Sequence, residues 1–265
     1  MRYKILQNIS LLLGDSDERL WFFQPWRRSK IRKFKNLHEG EDCFILGTGN
    51  SLNRVDLTLL KDYHLFGLNK IYLLFDRVDL NLSYYVAVDK YVIPQSKHQI
   101  ENMKCPSFIS FGYGRNVINE TDNIIFILTK GGYYFSTDLE YRFAVTNTVS
   151  FVALQLAFYM GFKNVFLVGF DHDYKGLSGE PATSQFLHGE DPNHFDKRYF
   201  ANQLWVQPDT LGMEVGYTLA NYYYIRNNRM IYNATDGSKI NIFQKISFED
   251  ALRKAKKKKP SSHPE

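Results

Sequence analysis

Hydrophobic residues from position 42 onward fall into short, nearly continuous runs. Seven of these runs have the length of a β-strand, and they lie at residues 43–46, 65–68, 84–88, 107–111, 124–128, 165–170 and 230–232. Apolar and polar residues do not alternate within them, which is typical of strands covered by helices on both faces. The pattern therefore predicts an α/β fold with a doubly wound, mostly parallel, Rossmann-like sheet and helices on both faces.

Two further segments have distinctive patterns. Residues 149–160 are almost entirely apolar, which predicts a helix buried on nearly all sides, and Gly161 predicts its end. Residues 174–212 are polar, contain several glycines and prolines, and form too long a stretch for a simple connection. Long segments of this kind are typical of lids and binding loops, so we expect a lid here.

Length and composition limit the possible classes of protein. The 265 residues are 44% hydrophobic and 16% aromatic, which excludes a disordered or fibrous chain. At this length we expect one α/β domain over residues 39–252, with a leader at 1–38 and a tail at 253–265. The two cysteines, Cys43 and Cys105, are too few for a disulfide framework and predict a reducing compartment.

Basic residues concentrate at the two ends of the chain. Six lie between residues 27 and 35, close to four aromatic residues, and six lie between 253 and 259; the aromatic residues are Trp21, Phe22, Phe23 and Trp26. Without these twelve bases, 21 basic and 28 acidic residues remain, so the central body is acidic. This distribution argues against nucleic acid as a partner and favours an anionic membrane surface. The apolar run at residues 9–13 is too short for a signal peptide or a membrane span, so we expect a cytoplasmic protein, peripheral to the inner face of the cytoplasmic membrane.

A glycine-rich turn, Gly47-Thr48-Gly49-Asn50-Ser51, follows the first predicted strand. Glycines allow backbone N–H groups to approach an anion closely, while Asn50 and Ser51 can bond a ligand or cap the next helix. The turn has neither the spacing of the dinucleotide-binding fingerprint nor the Gly-Lys pair of a P-loop. It is either a ligand-binding turn or an ordinary strand-to-helix connection.

Polar residues also follow the second and third predicted strands. Asn69 comes directly after the second strand, and Asp89 after the third. Because ligands of open α/β sheets bind at the carboxyl ends of the strands, we expect both side chains to converge with Gly49 to Ser51 on one crevice. Each could instead cap a helix.

Acidic residues follow the strand at 165–170. The sequence Asp171-His172-Asp173 contains an Asp-x-Asp pair, which could hold a divalent metal ion. A role without metal is equally compatible: Asp171 could hydrogen-bond a sugar or ribose hydroxyl, or orient the loop.

The predicted lid contains several titratable side chains, and these are His188, Glu190, Asp191, His194 and Asp196. A histidine or a desolvated carboxylate here could act as general base toward a sugar hydroxyl. The spacing of His188 and His194 does not match a zinc motif. The alternative is a solvated polar loop.

Five blocks of sequence resemble a family of α/β domains that includes archaeal 6-hydroxymethylpterin diphosphokinase and the motility-associated flagellin glycosyltransferases. The blocks lie at residues 44–52, 67–69, 85–89, 148–171 and 231–238. More distantly, the chain is similar to the small bacterial sialyltransferases that decorate lipooligosaccharide. The resemblance implies a Rossmann-like catalytic domain that binds a nucleotide or nucleotide sugar.

Similarity to the sialyltransferases implies a CMP-sugar donor held without a metal. The positions of this chain that match their donor-binding residues are Asn50, Ser51, Asn69, Thr148 and Ser150. Asn50 stands where those enzymes have a proline, and residues 209–213 lack their catalytic histidine. The base would then be His194, His188 or Glu214. Asp89 follows the pterin-kinase branch instead, which leaves the nucleotide open.

These observations lead to one hypothesis and two alternatives. The hypothesis is a glycosyltransferase of bacterial surface polysaccharide or glycoconjugate synthesis, such as lipopolysaccharide or capsule. It would transfer a sialic-acid-like or Kdo-like acidic sugar to a glycan or lipid-linked glycan, without a required cofactor, and Asp171 is a further catalytic candidate. The first alternative is a pterin-type diphosphokinase that uses ATP and Mg²⁺ with Asp89, Asp171 and Asp173. The second is a carbohydrate-binding or scaffold module without enzymatic activity.

Overall fold

The computed structural model describes residues 16–177 and 179–258. Its strands are β1 (Asp42–Leu46), β2 (His64–Leu68), β3 (Tyr84–Ala87), β4 (Ser107–Ser110), β5 (Ile124–Ile127), β6 (Thr129–Gly131), β7 (Phe143–Val145), β8 (Asn164–Val168), β9 (Ser184–Leu187), β10 (Gln203–Val206), β11 (Met230–Asn233) and β12 (Gln244–Lys245). All seven predicted strands are present, as β1 to β5, β8 and β11.

Eight of the described strands form a parallel sheet in the order β12-β11-β8-β1-β2-β3-β4-β5. From the central strand β1, the chain adds β2 to β5 on one side and then β8, β11 and β12 on the other. The strand order therefore reverses between β1 and β8. Such a switch point opens a crevice at the carboxyl ends of the two strands. The predicted fold class is confirmed.

The central strands are buried along their whole length. Every residue of β1, β3, β4 and β5 is buried, which requires cover on both faces of the sheet because successive side chains point to opposite sides. This is why the sequence shows continuous apolar runs instead of alternation.

The helices are α1 (Ser16–Phe22), α2 (Pro25–Arg32), α3 (Val92–Gln95), α4 (Lys97–Glu101), α5 (Phe111–Gly114), α6 (Val149–Met160), α7 (Thr210–Arg226) and α8 (Phe248–Lys254). Helix α6 is the predicted apolar helix, and it packs against α7, β2, β3 and β7. The Thr148 side chain accepts a hydrogen bond from Ser150 N at its start. Gly161, at φ +94°, ends it in the left-handed region that glycine adopts readily.

The described part of the leader packs against this domain. Helix α2 contacts β5, and Ile31 on α2 is fully buried. The Trp21 side chain is also fully buried, with its ring centroid 5.4 Å from that of Phe111. Phe23 and Trp26 remain exposed, at 73% and 54%. The leader therefore contributes to the core through one face and leaves a smaller aromatic surface in solvent.

Several of the clustered bases are paired within the domain. Arg27 and Lys30 form ion pairs with Glu120, and Arg32 forms one with Glu140. In the tail, Lys257 Nζ lies 2.8 Å from Asp62 Oδ2. Residues 16–177 and 179–258 contain no candidate membrane-spanning helix.

The lid is folded over the carboxyl edge of the sheet. Strands β9 and β10 form an antiparallel hairpin within it. Asn50 Nδ2 donates to Pro192 O, Asn53 Nδ2 donates to Phe195 O, and Gln95 Nε2 donates to Leu204 O. These bonds join the lid to segments that follow β1 and β3, so it forms one wall of the crevice.

Candidate functional site

A cavity of about 350 Å³ lies at the carboxyl edge of the sheet, beside the switch point. Nine residues proposed from the sequence line it: Gly47, Gly49, Asn69, Asp89, Thr148, Ser150, Asp171, Asp173 and His194. The expected convergence of the strand ends is therefore present in the fold. The lid contributes a further wall through its aromatic residues Tyr199, Phe200 and Trp205.

The glycine turn is held tightly against the end of β8. A Cβ on Gly47 would lie 2.4 Å from Gly169 O, so no larger residue fits without a backbone shift. Asp171 accepts hydrogen bonds from the backbone N and the Oγ of Ser51. Its carboxylate also fills the space that a Cβ on Gly49 would need. Asp171 therefore orients the turn.

Asn50 and Ser51 do not line the cavity, although the sequence comparison suggested a ligand for both. The Asn50 side chain bonds the lid at Pro192 O, and Ser51 is buried against Asp171. Both side chains therefore stabilise the turn without lining the cavity.

Asn69 has two unusual features. Its φ of +48° lies in the left-handed region, where asparagine is among the few tolerated residues. Its Oδ1 is buried and has no hydrogen-bond partner in the protein, whereas its backbone oxygen accepts from Tyr85 Oη at 2.6 Å. Because an unpaired buried polar atom costs stability, this oxygen is suited to accept a hydrogen bond from a ligand in the cavity.

The first turn of α6 also faces the cavity. Thr148, Val149 and Ser150 line it, so the positive end of the helix dipole lies at its wall, where Ser150 N is capped by the Thr148 side chain. The buried Tyr217 also lines the cavity, and burial raises the pKa of its hydroxyl. Hydroxyl groups at a helix start are suited to phosphate oxygens.

His194 is held by a carboxylate and an aromatic ring. Its Nδ1 lies 2.8 Å from Oδ2 of the buried Asp191, and its ring stacks on Tyr199 with centroids 3.9 Å apart. Burial raises the pKa of Asp191, but hydrogen bonds from His194, Asn193 N and Phe200 N outweigh it and lower the pKa overall. An ionised Asp191 fixes the Nδ1–H tautomer and leaves Nε2 able to accept a proton.

A second histidine, His172, lines the cavity from the end of β8. It has a φ of +55°, and its Nε2 lies 3.1 Å from Glu214 Oε1. Glu214, a candidate base from the sequence, does not itself line the cavity but pairs with this histidine. His188, another candidate, is exposed on the lid beside Phe186 and lies outside the cavity lining.

The acidic candidates Asp89, Asp171 and Asp173 differ in their hydrogen bonds and in their exposure. Asp89 Oδ1 accepts from the backbone N of Tyr91 and of Val92, so this carboxylate caps a turn while lining the cavity. Asp173 is exposed at the cavity wall. Both oxygens of Asp171 are engaged by Ser51, so the Asp-x-Asp pair does not present two free carboxylates.

A buried lysine behind the cavity was missed by the sequence analysis. Lys70 Nζ donates to Tyr199 O at 2.6 Å and to Gln203 Oε1 at 2.7 Å, which ties the lid to the end of β2. Burial lowers its pKa to about 8, although the charges of Asp89 and Asp191 act in the opposite direction. The sequence feature that could have pointed to Lys70 is its position directly after Asn69.

Comparisons with known proteins agree with this fold. The chain resembles the structure of a MAf glycosyltransferase from Magnetospirillum magneticum AMB-1, with a TM-score of 0.52 and 14% identity. The match covers 88% of this chain and 39% of that chain, so this chain spans well under half of its length. No curated protein matches the sequence. The model of the 6-hydroxymethylpterin diphosphokinase MptE-like family matches residues 23–176, which is more than half of the chain and includes four of the five blocks, and it confirms the resemblance. The chain therefore belongs to the MptE-like family.

Proposed function

We propose that this protein is a glycosyltransferase that moves a sugar from a nucleotide-activated donor to a glycan acceptor. The observation that carries the proposal is the cavity itself, which combines the unpartnered Asn69 Oδ1 with the Asp191–His194 pair. Asn69 Oδ1 is suited to hold a ligand, and His194 is suited to accept a proton. The glycosyltransferase with a similar fold supports the reaction class by analogy.

The donor would lie between the glycine turn and the start of α6. The hydroxyls of Thr148 and Ser150, at the positive end of the α6 dipole, would bind the nucleotide phosphate. Lys90 also lines the cavity, and its charge suits the carboxylate of an acidic sugar. We therefore propose a CMP-linked acidic sugar, with Asn69 Oδ1 accepting from a donor hydroxyl or amine.

The proposed reaction is a displacement at the anomeric carbon. The acceptor hydroxyl gives its proton to His194 Nε2 while its oxygen bonds to the anomeric carbon. The bond from that carbon to the phosphate oxygen breaks, and the electron pair leaves with the nucleotide. Asp191 would stabilise the imidazolium that forms, as carboxylates do in other Asp–His pairs.

A second candidate function is pyrophosphoryl transfer from ATP, as the name of the family suggests. It is favoured by three acidic residues at the cavity: Asp89, Asp171 and Asp173. Two features weigh against it. Asp171 is committed to Ser51, and Lys90 is the one lysine or arginine among the described lining residues, which is few for a triphosphate.

Thermal stabilisation by candidate donors tests the proposal. CMP-, UDP-, GDP- and ADP-sugars and ATP would be compared with and without Mg²⁺ or Mn²⁺. A ligand at 100 times its Kd stabilises by about 2.7 kcal/mol, which a melting curve resolves. We expect a CMP-sugar to stabilise the protein, and selective stabilisation by ATP with Mg²⁺ would support the kinase instead.

Replacing Asn69 with glycine should weaken donor binding about tenfold with the fold intact, because the ligand loses one buried hydrogen bond. Glycine tolerates the left-handed backbone, so the change removes the side chain without strain. Asn228, at φ +55° on the loop after α7, provides the matched control. Isothermal titration should show Asn228→Gly unchanged, and equal binding by both variants would exclude Asn69 from the donor site.

The exposed leader surface supports a peripheral position at an anionic membrane, near a lipid-linked glycan acceptor. Phe23 and Trp26 are exposed there, and Arg28 lies over the ring of the adjacent Phe22. We expect the full chain to co-sediment with anionic vesicles at low salt and to be released at high salt. Phe23→Ser/Trp26→Ser should lose this binding, and Ile225→Ser, at an exposed apolar residue on α7, should keep it. Equal binding to neutral vesicles would contradict the electrostatic part of the proposal.

A further inference from the structure

Two histidines and a glutamate meet at the amino edge of the sheet, the edge opposite to the cavity. His38 Nδ1 lies 2.8 Å from Glu41 Oε2, and His64 Nε2 lies 3.0 Å from the same oxygen. The three ligand atoms lie within 4.8 Å of one another. Two imidazole nitrogens therefore flank one carboxylate oxygen.

The backbone holds these three residues in place. His38 N donates to Met160 O at 2.8 Å, and Glu41 N donates to His38 O at 3.0 Å, which fixes the turn between them. His64 is the first residue of β2 and is paired with Cys43 of β1. Sites on such rigid segments lose little entropy when they bind a ligand.

The surroundings of the histidines are those of a metal ligand. His38 Nε2 lies 2.5 Å from Tyr84 Oη, and its ring stacks on Phe162 at 4.5 Å between centroids. The nitrogen of a metal-bound histidine that does not bind the metal commonly makes a hydrogen bond of this kind. Burial lowers the pKa of both histidines, that of His64 to about 4. Side-chain exposures of 12 to 19% leave access for an ion and for a water ligand.

We propose that His38, Glu41 and His64 form a binding site for Zn²⁺. The ligand set would be His38 Nδ1, His64 Nε2 and Glu41 Oε2, with water in the fourth position. Tetrahedral coordination at about 2.0 to 2.2 Å requires the present nitrogen–oxygen separations to open by only a few tenths of an ångström. His38 would then carry its proton on Nε2 and donate it to Tyr84 Oη. The ion would join the turn before β1 to the start of β2, far from the proposed reaction, and its role would be structural.

One positive charge opposes the ion. The half-buried Lys258 lies close enough for its charge to act on both histidines. The same charge would repel Zn²⁺, so its removal should strengthen metal binding. Removal of a ligand such as Glu41 should weaken Zn²⁺ binding, and removal of the Lys258 charge should strengthen it. The proposal can therefore be tested in both directions.

The experiment uses the full chain, freed of metal with a chelator and titrated with Zn²⁺ against a chromophoric competitor. We expect one bound equivalent and a higher melting temperature with Zn²⁺. Glu41→Gln and His64→Ala should each weaken binding about a hundredfold, whereas Tyr84→Phe should weaken it about tenfold. Lys258→Gln should tighten binding severalfold.

The matched control is His98→Ala, which removes an exposed histidine on α4 and should bind Zn²⁺ as the wild type does. Circular dichroism of the metal-free variants checks that each is folded. Visible absorption of bound Co²⁺ at four-coordinate intensity provides a second readout of the site. Absence of binding at micromolar Zn²⁺, or binding that survives in both Glu41→Gln and His64→Ala, overturns the proposal.

Discussion

Replacing His194 with asparagine should lower the turnover number by about a hundredfold or more, while the donor binds as before. The imidazole lines the cavity, and its Nδ1 is held 2.8 Å from Oδ2 of the buried Asp191, which leaves Nε2 as the candidate base. Loss of a general base costs about 10² to 10⁴ in rate. Asparagine can still donate a hydrogen bond to Asp191, so the variant removes the base and retains the local contact. Turnover is measured with the donor found by thermal shift, and binding by isothermal titration.

Three variants separate this role from its competitors. Asp191→Asn should also reduce turnover, because the amide no longer stabilises the imidazolium. His188→Ala should retain activity, since His188 is exposed on the lid outside the cavity lining. His172→Ala is the decisive comparison, because His172 lines the same cavity and pairs with Glu214. An active His194→Asn protein together with an inactive His172→Ala protein would assign the base to His172.

The sequence predicted the sheet well because its strands are buried on both faces. Continuous apolar runs such as 43–46 have no other simple interpretation in a chain with helical segments between them. The lid hairpin was missed for the opposite reason. Strands β9 and β10 have four residues each, and β9 alternates between exposed and half-buried positions, so its pattern resembles that of a polar loop. Strands β6 and β7, with three residues each, are too short to produce a pattern.

The sequence was sufficient to predict which strand ends lie at the cavity, but not where each side chain points. Asn69 and Asp89 line the cavity because they follow parallel strands, and topology alone determines that placement. The direction of a side chain within a turn depends on packing, which the sequence does not show. The resemblance placed Asn50 at the ligand, but its side-chain amide donates a hydrogen bond to Pro192 O of the lid instead. The pairing of Lys70 with Tyr199 joins residues 129 positions apart, and no local pattern encodes such a contact.

Gln155 should be the most costly residue of α6 to replace. Its side chain is fully buried, and its Oε1 accepts from Ser136 N at 3.0 Å and from Ala144 N at 3.1 Å. Its Nε2 donates to Ala144 O at 2.8 Å. These bonds tie α6 to β7, the strand that leads directly into the residues at the start of the helix. The amide therefore supports the proposed phosphate-binding turn from inside the core.

Gln155→Leu should lower the free energy of unfolding by about 3 kcal/mol or more, since two backbone N–H groups and one carbonyl lose their partners, each at a cost of about 1 to 3 kcal/mol. Urea denaturation measures the change. Met160→Leu is the matched control, because Met160 is also fully buried on α6 and a volume-conserving swap costs less than about 1.5 kcal/mol. Similar losses in both variants would show that general packing of α6 determines its stability. A large loss confined to Gln155→Leu, with weaker donor binding in the folded fraction, would show that this buried amide holds both the helix and the cavity wall.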